Sequence, residues 1–238
     1  MNYNSDPYFD RPEVSNSDLS WIKDYYQPQR LKVDKDKAYK FGTLVDAIIT
    51  EPEKVDYYQH TVDGIPYDKE DFESAIEMKK AFMKDELSKR ILSVSNCQTI
   101  MIKKLTFSFE GIDFELDTRC KWDLWSDVLG FGGDIKSTAA TSQKQFEEAV
   151  RFFDYDRQRA WYMNIAGSDK DVIIGISKKN YKVFKVPVRR GDELFENGVK
   201  KYSELAFKWW SLFEGISGKK HASLLVTEAK KYLKENQL

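Results

Sequence analysis

The chain has 238 residues, 41% of them hydrophobic and 14% aromatic, and its 32% charged residues almost cancel to a formal net charge of −1. That length and balance suit one globular domain with a sizeable core, and they exclude a disordered chain. A uniformly basic nucleic-acid binder is excluded as well, because the phosphate backbone is held mainly by Lys and Arg.

In chain order, Ser15, Asn16 and Ser17 stand where hydroxyl and amide oxygens cap a helix start, and a short helix is predicted to about Tyr26. Pro28 and the charged run Lys32 to Lys37 predict a loop. A helix follows from about Lys37 to Ile49, with Phe41, Leu44, Val45, Ile48 and Ile49 on one buried face. Gly42 and Asp46 sit together beside that face, and a glycine inside a helix is costly unless something approaches closely. The region Thr61 to Arg90 is polar and then helical, with no chemistry assigned. His60 and His221 lie in no ligand spacing and read as surface residues. A strand is predicted over Thr99 to Phe109, with a turn at Glu110-Gly111. The next strand alternates, with Phe114, Leu116, Thr118, Cys120 and Trp122 on one face. Its other face runs from Asp113 to Asp123, placing Asp123 on an accessible polar surface.

The stretch Lys121 to Ser137 reads as two strands joined by a turn, with Asp123 near the end of the first and Asp134-Ile135-Lys136 on the second. Side chains alternate along a strand, so Asp134 and Lys136 project together and Ile135 points into the opposite layer. Carboxylate oxygens are hard ligands suited to Mg²⁺, and a metal between two of them can polarise a phosphate and acidify a water. The plainer reading is a surface hairpin with a solvated acid and base. This is the one Asp-x-Lys in the chain; the Glu forms, Glu77-Met78-Lys79 and Glu228-Ala229-Lys230, lie in stretches that read as helix.

Ser142 and Gln145 resemble a capping box opening a helix to Phe153. A second helix, Tyr155 to Ala166, ends at Gly167 and carries Gln158 and Tyr162 on one face. Val172 to Ile176 is predicted as a buried strand and Tyr181 to Val186 as its partner. A long helix over Asp192 to Phe213 and an amphipathic helix over Ser223 to Glu235 complete the chain. The fold class is α/β (α+β): a central mixed sheet flanked by helices. No apolar run approaches a membrane span, and the first residues carry no secretory pattern, so no membrane partner and a cytoplasmic location are expected. Cys97 and Cys120 form no Cys-x-x-Cys, which supports neither a disulfide framework nor a cysteine-held metal.

Asp123, a hairpin, and then Asp134-Ile135-Lys136 resemble the core of the PD-(D/E)XK nucleases. The phrase Phe41-Gly42-Thr43-Leu44-Val45-Asp46 resembles a helix of RecB-type and phage-type exonucleases whose Gly-x-x-x-His supplies a metal ligand, with Asp46 in the histidine's place. Gln158 and Tyr162 resemble the Gln-x-x-x-Tyr motif that follows Asp-x-Lys in the RecB-type nucleases. These motifs fall in the family's order across roughly Ser15 to Val188. The resemblance implies a single nuclease domain over residues 1–238 with a restriction-endonuclease-like core, a short flexible N-terminal segment and a C-terminal helical portion. It implies Mg²⁺, with Mn²⁺ able to substitute, held by Asp46, Asp123, Asp134 and the carbonyl of Ile135. Asp123, Asp134 and Lys136 would be catalytic, with Lys136 orienting the attacking water, and Gln158 and Tyr162 would support the site and the DNA. Arg157 and Arg159 on the same helix are expected to reach phosphates. The iron-sulfur branch of the family needs four cysteines, so no iron-sulfur cluster is expected. The RecB/RecE-like phage-type branch implies an exonuclease on linear duplex DNA in recombination or phage DNA processing. Its implied partners are duplex DNA, a single-strand annealing protein and further copies in a homo-oligomer. Two alternatives stay open on the same residues: a structure-specific or restriction-like endonuclease, and a non-catalytic DNA-binding protein that retains the fold.

Overall fold

The computed structural model describes residue 8 and residues 10–27 and 35–214. The expected helix over Ser223 to Glu235, His221, Glu228-Ala229-Lys230 and most of the loop after Pro28 lie outside the described residues.

Helix α1 (Asn16–Tyr26) opens on a reciprocal cap: the Asp18 amide donates to Ser15 Oγ at 3.3 Å and the Ser15 amide to Asp18 Oδ2 at 2.8 Å. These bonds satisfy donors that a helix start leaves free. Helix α2 (Lys35–Thr50) runs into a 3-10 turn at Pro52–Lys54. Strands β1 (Val55–Asp56), β2 (Thr61–Val62) and β3 (Ile65–Pro66) then form a small antiparallel sheet. These two-residue strands are too short for a period-two signal, which is why the segment reads as plain polar chain. Helices α3 (Lys69–Lys84) and α4 (Glu86–Ser93) follow.

The main sheet holds β4 (Asn96–Phe109), β5 (Ile112–Ser126), β6 (Phe131–Thr138), β7 (Lys170–Ser177) and β8 (Val183–Arg189), in that spatial order. Neighbours are antiparallel except β6 and β7. Parallel neighbours need a crossover, supplied here by α5 (Gln143–Phe152) and α6 (Tyr155–Ala166). Helix α7 (Glu193–Phe213) is the last described element.

Apolar side chains cover both faces of the sheet. One core joins Leu19 and Ile22 of α1, Phe146 of α5, Trp161 of α6 and Tyr202 and Trp209 of α7 to Phe114, Leu116 and Trp122. The other joins Leu44 and Ile48 of α2 and Phe72 and Phe82 of α3 to Leu124, Ile135, Ile174 and Ile176. Burial on both sides explains the unbroken apolar run at Val172 to Ile176.

Two departures from regular pleating position the site. Across β4 and β5 the register never slips, yet the side-chain faces reverse. Phe107, Phe114 and Trp122 face the first core, while Cys97 and Leu124, at positions of the same parity, face the second. The reversal falls at Gln98, whose φ of 54° is left-handed, and its neighbour Asp123. The clean alternation expected through Asp123 therefore breaks at Asp123 itself. In addition, β5 and β6 pair only at Leu124–Gly133, Trp125–Gly132 and Ser126–Phe131. Beyond those rungs β5 continues on β4 and β6 on β7, so the two strands part like a V with Asp123 and Asp134 at its vertex.

Candidate active site

At the vertex the backbone ladder gives way to a side chain: the Ile135 amide donates to Asp123 Oδ2 at 2.7 Å. Lys136 Nζ lies 2.7 Å from Asp134 Oδ2 and 5.2 Å from the centre of the Tyr155 ring at the start of α6. Asp46 reaches in from α2. Its Oδ2 accepts from Gln98 Nε2 at 2.9 Å and its Oδ1 from Thr50 Oγ1 at 3.2 Å. The reversed backbone at Gln98 thus serves to turn an amide onto Asp46.

Burial pushes the Asp46 carboxyl up to about 6 against the hydrogen bond from Gln98. Burial, then repulsion from Asp46 and Asp134, holds Asp123 well above the ordinary aspartate value. Burial opposes the charge on Lys136, but Asp134 and Asp123 outweigh it and raise its pKa, so Lys136 is an ammonium at neutral pH.

The expectation that Asp134 and Asp123 are freely accessible is corrected. Asp134 is only 1% exposed, and Asp123 is partly buried. For Asp134 the reason is Arg159, itself fully buried, whose Nη1 donates to Asp134 Oδ1 at 2.8 Å and whose Nε donates to Asp171 Oδ2 at 2.5 Å. Arg159 and Arg157 do not reach outward as expected. The Arg157 Nε donates to Asn16 Oδ1 at 3.0 Å and its Nη2 to Ser20 Oγ at 2.5 Å, which ties α6 to α1. Tyr162 is also buried; its ring stands 5.4 Å from Trp122, and the Arg159 guanidinium lies 4.5 Å from its centre. Gln158, one turn earlier on α6, is partly buried. Ile135 packs into the second core, opposite Asp134, as strand alternation requires.

The structure therefore gathers Asp46, Asp123, Asp134 and Lys136, and it turns Tyr162 into packing beneath them. Sequence reading missed Gln98, Tyr155 and Asp171, and it gave Arg159 an outward role in place of the buried one. One signal for Asp171 was present, an acid opening an otherwise apolar buried strand, because such a charge requires a buried partner.

The donor set suits a hard divalent cation: the carboxyls of Asp46, Asp123 and Asp134 stand with Lys136 and, on Asp134, Arg159, and the Asp46 and Asp123 carboxyls are pushed up by burial and repulsion. Asp134 Oδ2 is buried and its contact is the Lys136 ammonium at 2.7 Å, an ion pair that a cation could share. Among the described residues, no three His, Cys, Asp or Glu side chains already converge as a ligand set. Asp46 and Asp123 are each held by protein donors.

Residues 22–221 match the family model described as a PDDEXK-like domain of unknown function (DUF3799). No curated protein matches the chain. Among solved structures, a phage-related exonuclease from Haemophilus somnus 129PT is 15% identical, with 86% of this chain and 96% of that chain covered and a TM-score of 0.41. An alkaline exonuclease from Laribacter hongkongensis, LHK-Exo, is 11% identical over 92% of this chain and 94% of that chain, with a TM-score of 0.35. LHK-Exo has also been solved in complex with dAMP.

Proposed function

The chain belongs to the PDDEXK-like family, and from that premise we propose that it is a metal-dependent deoxyribonuclease, acting as an exonuclease on linear duplex DNA. The observation that carries the reading is the parting of β5 and β6 at Asp123 and Asp134 with Lys136 beside them. The exonuclease form rests on the order of the Gly42–Asp46, Asp123/Asp134–Lys136 and Gln158–Tyr162 segments, which resembles that of RecB-type and phage-type exonucleases.

Asp123, Asp134, the Ile135 carbonyl and Asp46 would hold Mg²⁺, or Mn²⁺ in its place. A divalent cation there would polarise the scissile phosphate and acidify a water. Lys136, as an ammonium, donates hydrogen bonds; it orients the nucleophile or steadies a phosphate oxygen, and it does not accept the proton. Gln98 and Thr50 fix the Asp46 carboxylate, so its direction is set before a substrate arrives. The Ile135 amide does the same for Asp123. Trp122 and Tyr162 wall the vertex from the first core and limit water there.

The test is to incubate linear and closed circular duplexes with Mg²⁺ or Mn²⁺. Degradation of the linear form alone is expected. Cutting of both would make the protein an endonuclease, and cutting of neither would leave a non-catalytic DNA-binding protein.

A further inference from the structure

Arg159 is built in more tightly than an ion pair requires. Its guanidinium lies 4.5 Å from the ring centres of both Trp122 and Tyr162, which meet edge to face, 5.4 Å apart, and so form a corner in which it sits. Asp171 takes its Nε and Asp134 takes its Nη1. Trp122 can occupy that place only because position 132 is glycine: a Cβ there would fall 1.9 Å from the Trp122 ring. Gly132 in turn is a rung partner of Asp171 on β7, so wall and anchor are fixed by the same stretch of sheet.

Stability does not account for such an arrangement. A buried ion triad costs its desolvation and is commonly matched or bettered by apolar side chains of similar volume. What the clamp does achieve is directional. The planar fork of an arginine offers donors at fixed angles, which a lysine's point charge does not. Here one arm takes Asp134 Oδ1 and leaves Oδ2 turned to Lys136, 2.7 Å away.

We propose that Arg159 is a positioning residue: seated in the corner of Trp122 and Tyr162 and anchored by Asp171, it holds Asp134 so that Oδ2 is presented to a divalent cation. This rests on the nuclease reading above and assigns a role to Arg159, Asp171 and Gly132 that the motif pattern does not contain. Tyr162 then acts as one wall of the corner that seats Arg159.

The experiment is calorimetric titration of Mn²⁺ into the full chain, as wild type, Arg159→Lys and Asp171→Asn, with thermal melting and duplex cleavage followed in parallel. Residues that orient a ligand typically change metal affinity about 10- to 100-fold when altered, and a weakening of that size is expected in both variants. The kcat at fixed Mn²⁺ should fall with KM for DNA unchanged, and raising Mn²⁺ should restore turnover, which a purely structural defect would not allow. Wild-type Mn²⁺ affinity in either folded variant would overturn the proposal. So would loss of the fold in both, which would make the clamp structural. A wild-type protein that neither binds Mn²⁺ nor cleaves would instead overturn the nuclease reading itself, a result distinguishable from failure of the clamp.

Discussion

Asp134 touches protein through both oxygens, and this decides how its role has to be tested. Asp134→Ala would leave Arg159 with one carboxylate fewer inside the core. Removing one partner of a buried pair costs about 3–5 kcal/mol, so a loss of cleavage in that variant would be confounded by a loss of fold. Asp134→Asn keeps the volume and an acceptor oxygen. It is expected to abolish cleavage with a much smaller fall in melting temperature, and full turnover by the purified variant would contradict the assignment. Lys136 is also paired with the buried Asp134, so Lys136→Gln is the variant to use; it should lose cleavage with a smaller fall in melting temperature than Lys136→Ala. At Asp46, alanine should lower activity and histidine should retain it, since both native carboxylate and imidazole can ligate a metal. An unaffected Asp46→Ala enzyme would reduce Asp46 to a partner of Gln98 and Thr50. The Asp-x-Lys pair is legible in the sequence because strand alternation places both side chains on one face. The burial of Asp134 is not, because Arg159 is 25 residues away on a helix, where it reads as one more surface cation beside Gln158.

Helix α2 was legible from its apolar spacing, but the reason for Gly42 was not. An alanine Cβ at Gly42 would meet only Ser137 Oγ, at 4.0 Å, so nothing among the described residues requires the glycine. Gly42→Ala should therefore stabilise the protein by about 1 kcal/mol from helix propensity, read as a higher melting temperature. A fall would mean that the helix needs the glycine for packing. The junction of α1, α6 and α7 turns on Asp154, which takes Lys23 and, at 2.9 Å, Lys201. Burial opposes its charge, yet the two lysines outweigh burial and lower its pKa. A carboxyl lowered on folding stabilises the protein above the ordinary aspartate value, about 3.9, and that contribution is lost as pH falls through the folded value. Asp154→Asn should thus melt below wild type at neutral pH, with the gap closing under acid; a gap constant from pH 7 to pH 2 would contradict this. None of these partners was legible, because each bridges elements far apart in sequence. The reversal at Gln98 and Asp123 escaped for a related reason: periodicity averages over a strand and does not report one left-handed residue.

At the scale of the molecule, the chain order of helices and strands was enough to expect a mixed sheet with helices on both sides. Apolar periodicity changes with each element, and a parallel pair requires the crossover that α5 and α6 provide. On the proposed reading, the sheet's role in chemistry follows from one irregularity in it, the V between β5 and β6. If the chain acts on DNA as proposed, a net charge of −1 leaves only local contacts to hold it, so binding should weaken linearly in log–log terms with salt and by a modest slope. Sequence preference should be slight, since phosphate contacts do not read bases. The most direct test of the V as a metal-dependent phosphodiesterase centre uses an end-labelled linear duplex with Mn²⁺, cut by wild type and by Asp123→Asn of matched melting temperature. We predict release of label by wild type that a chelator stops and the variant lacks. Label release by Asp123→Asn at the wild-type rate, or by wild type in excess chelator, would contradict it.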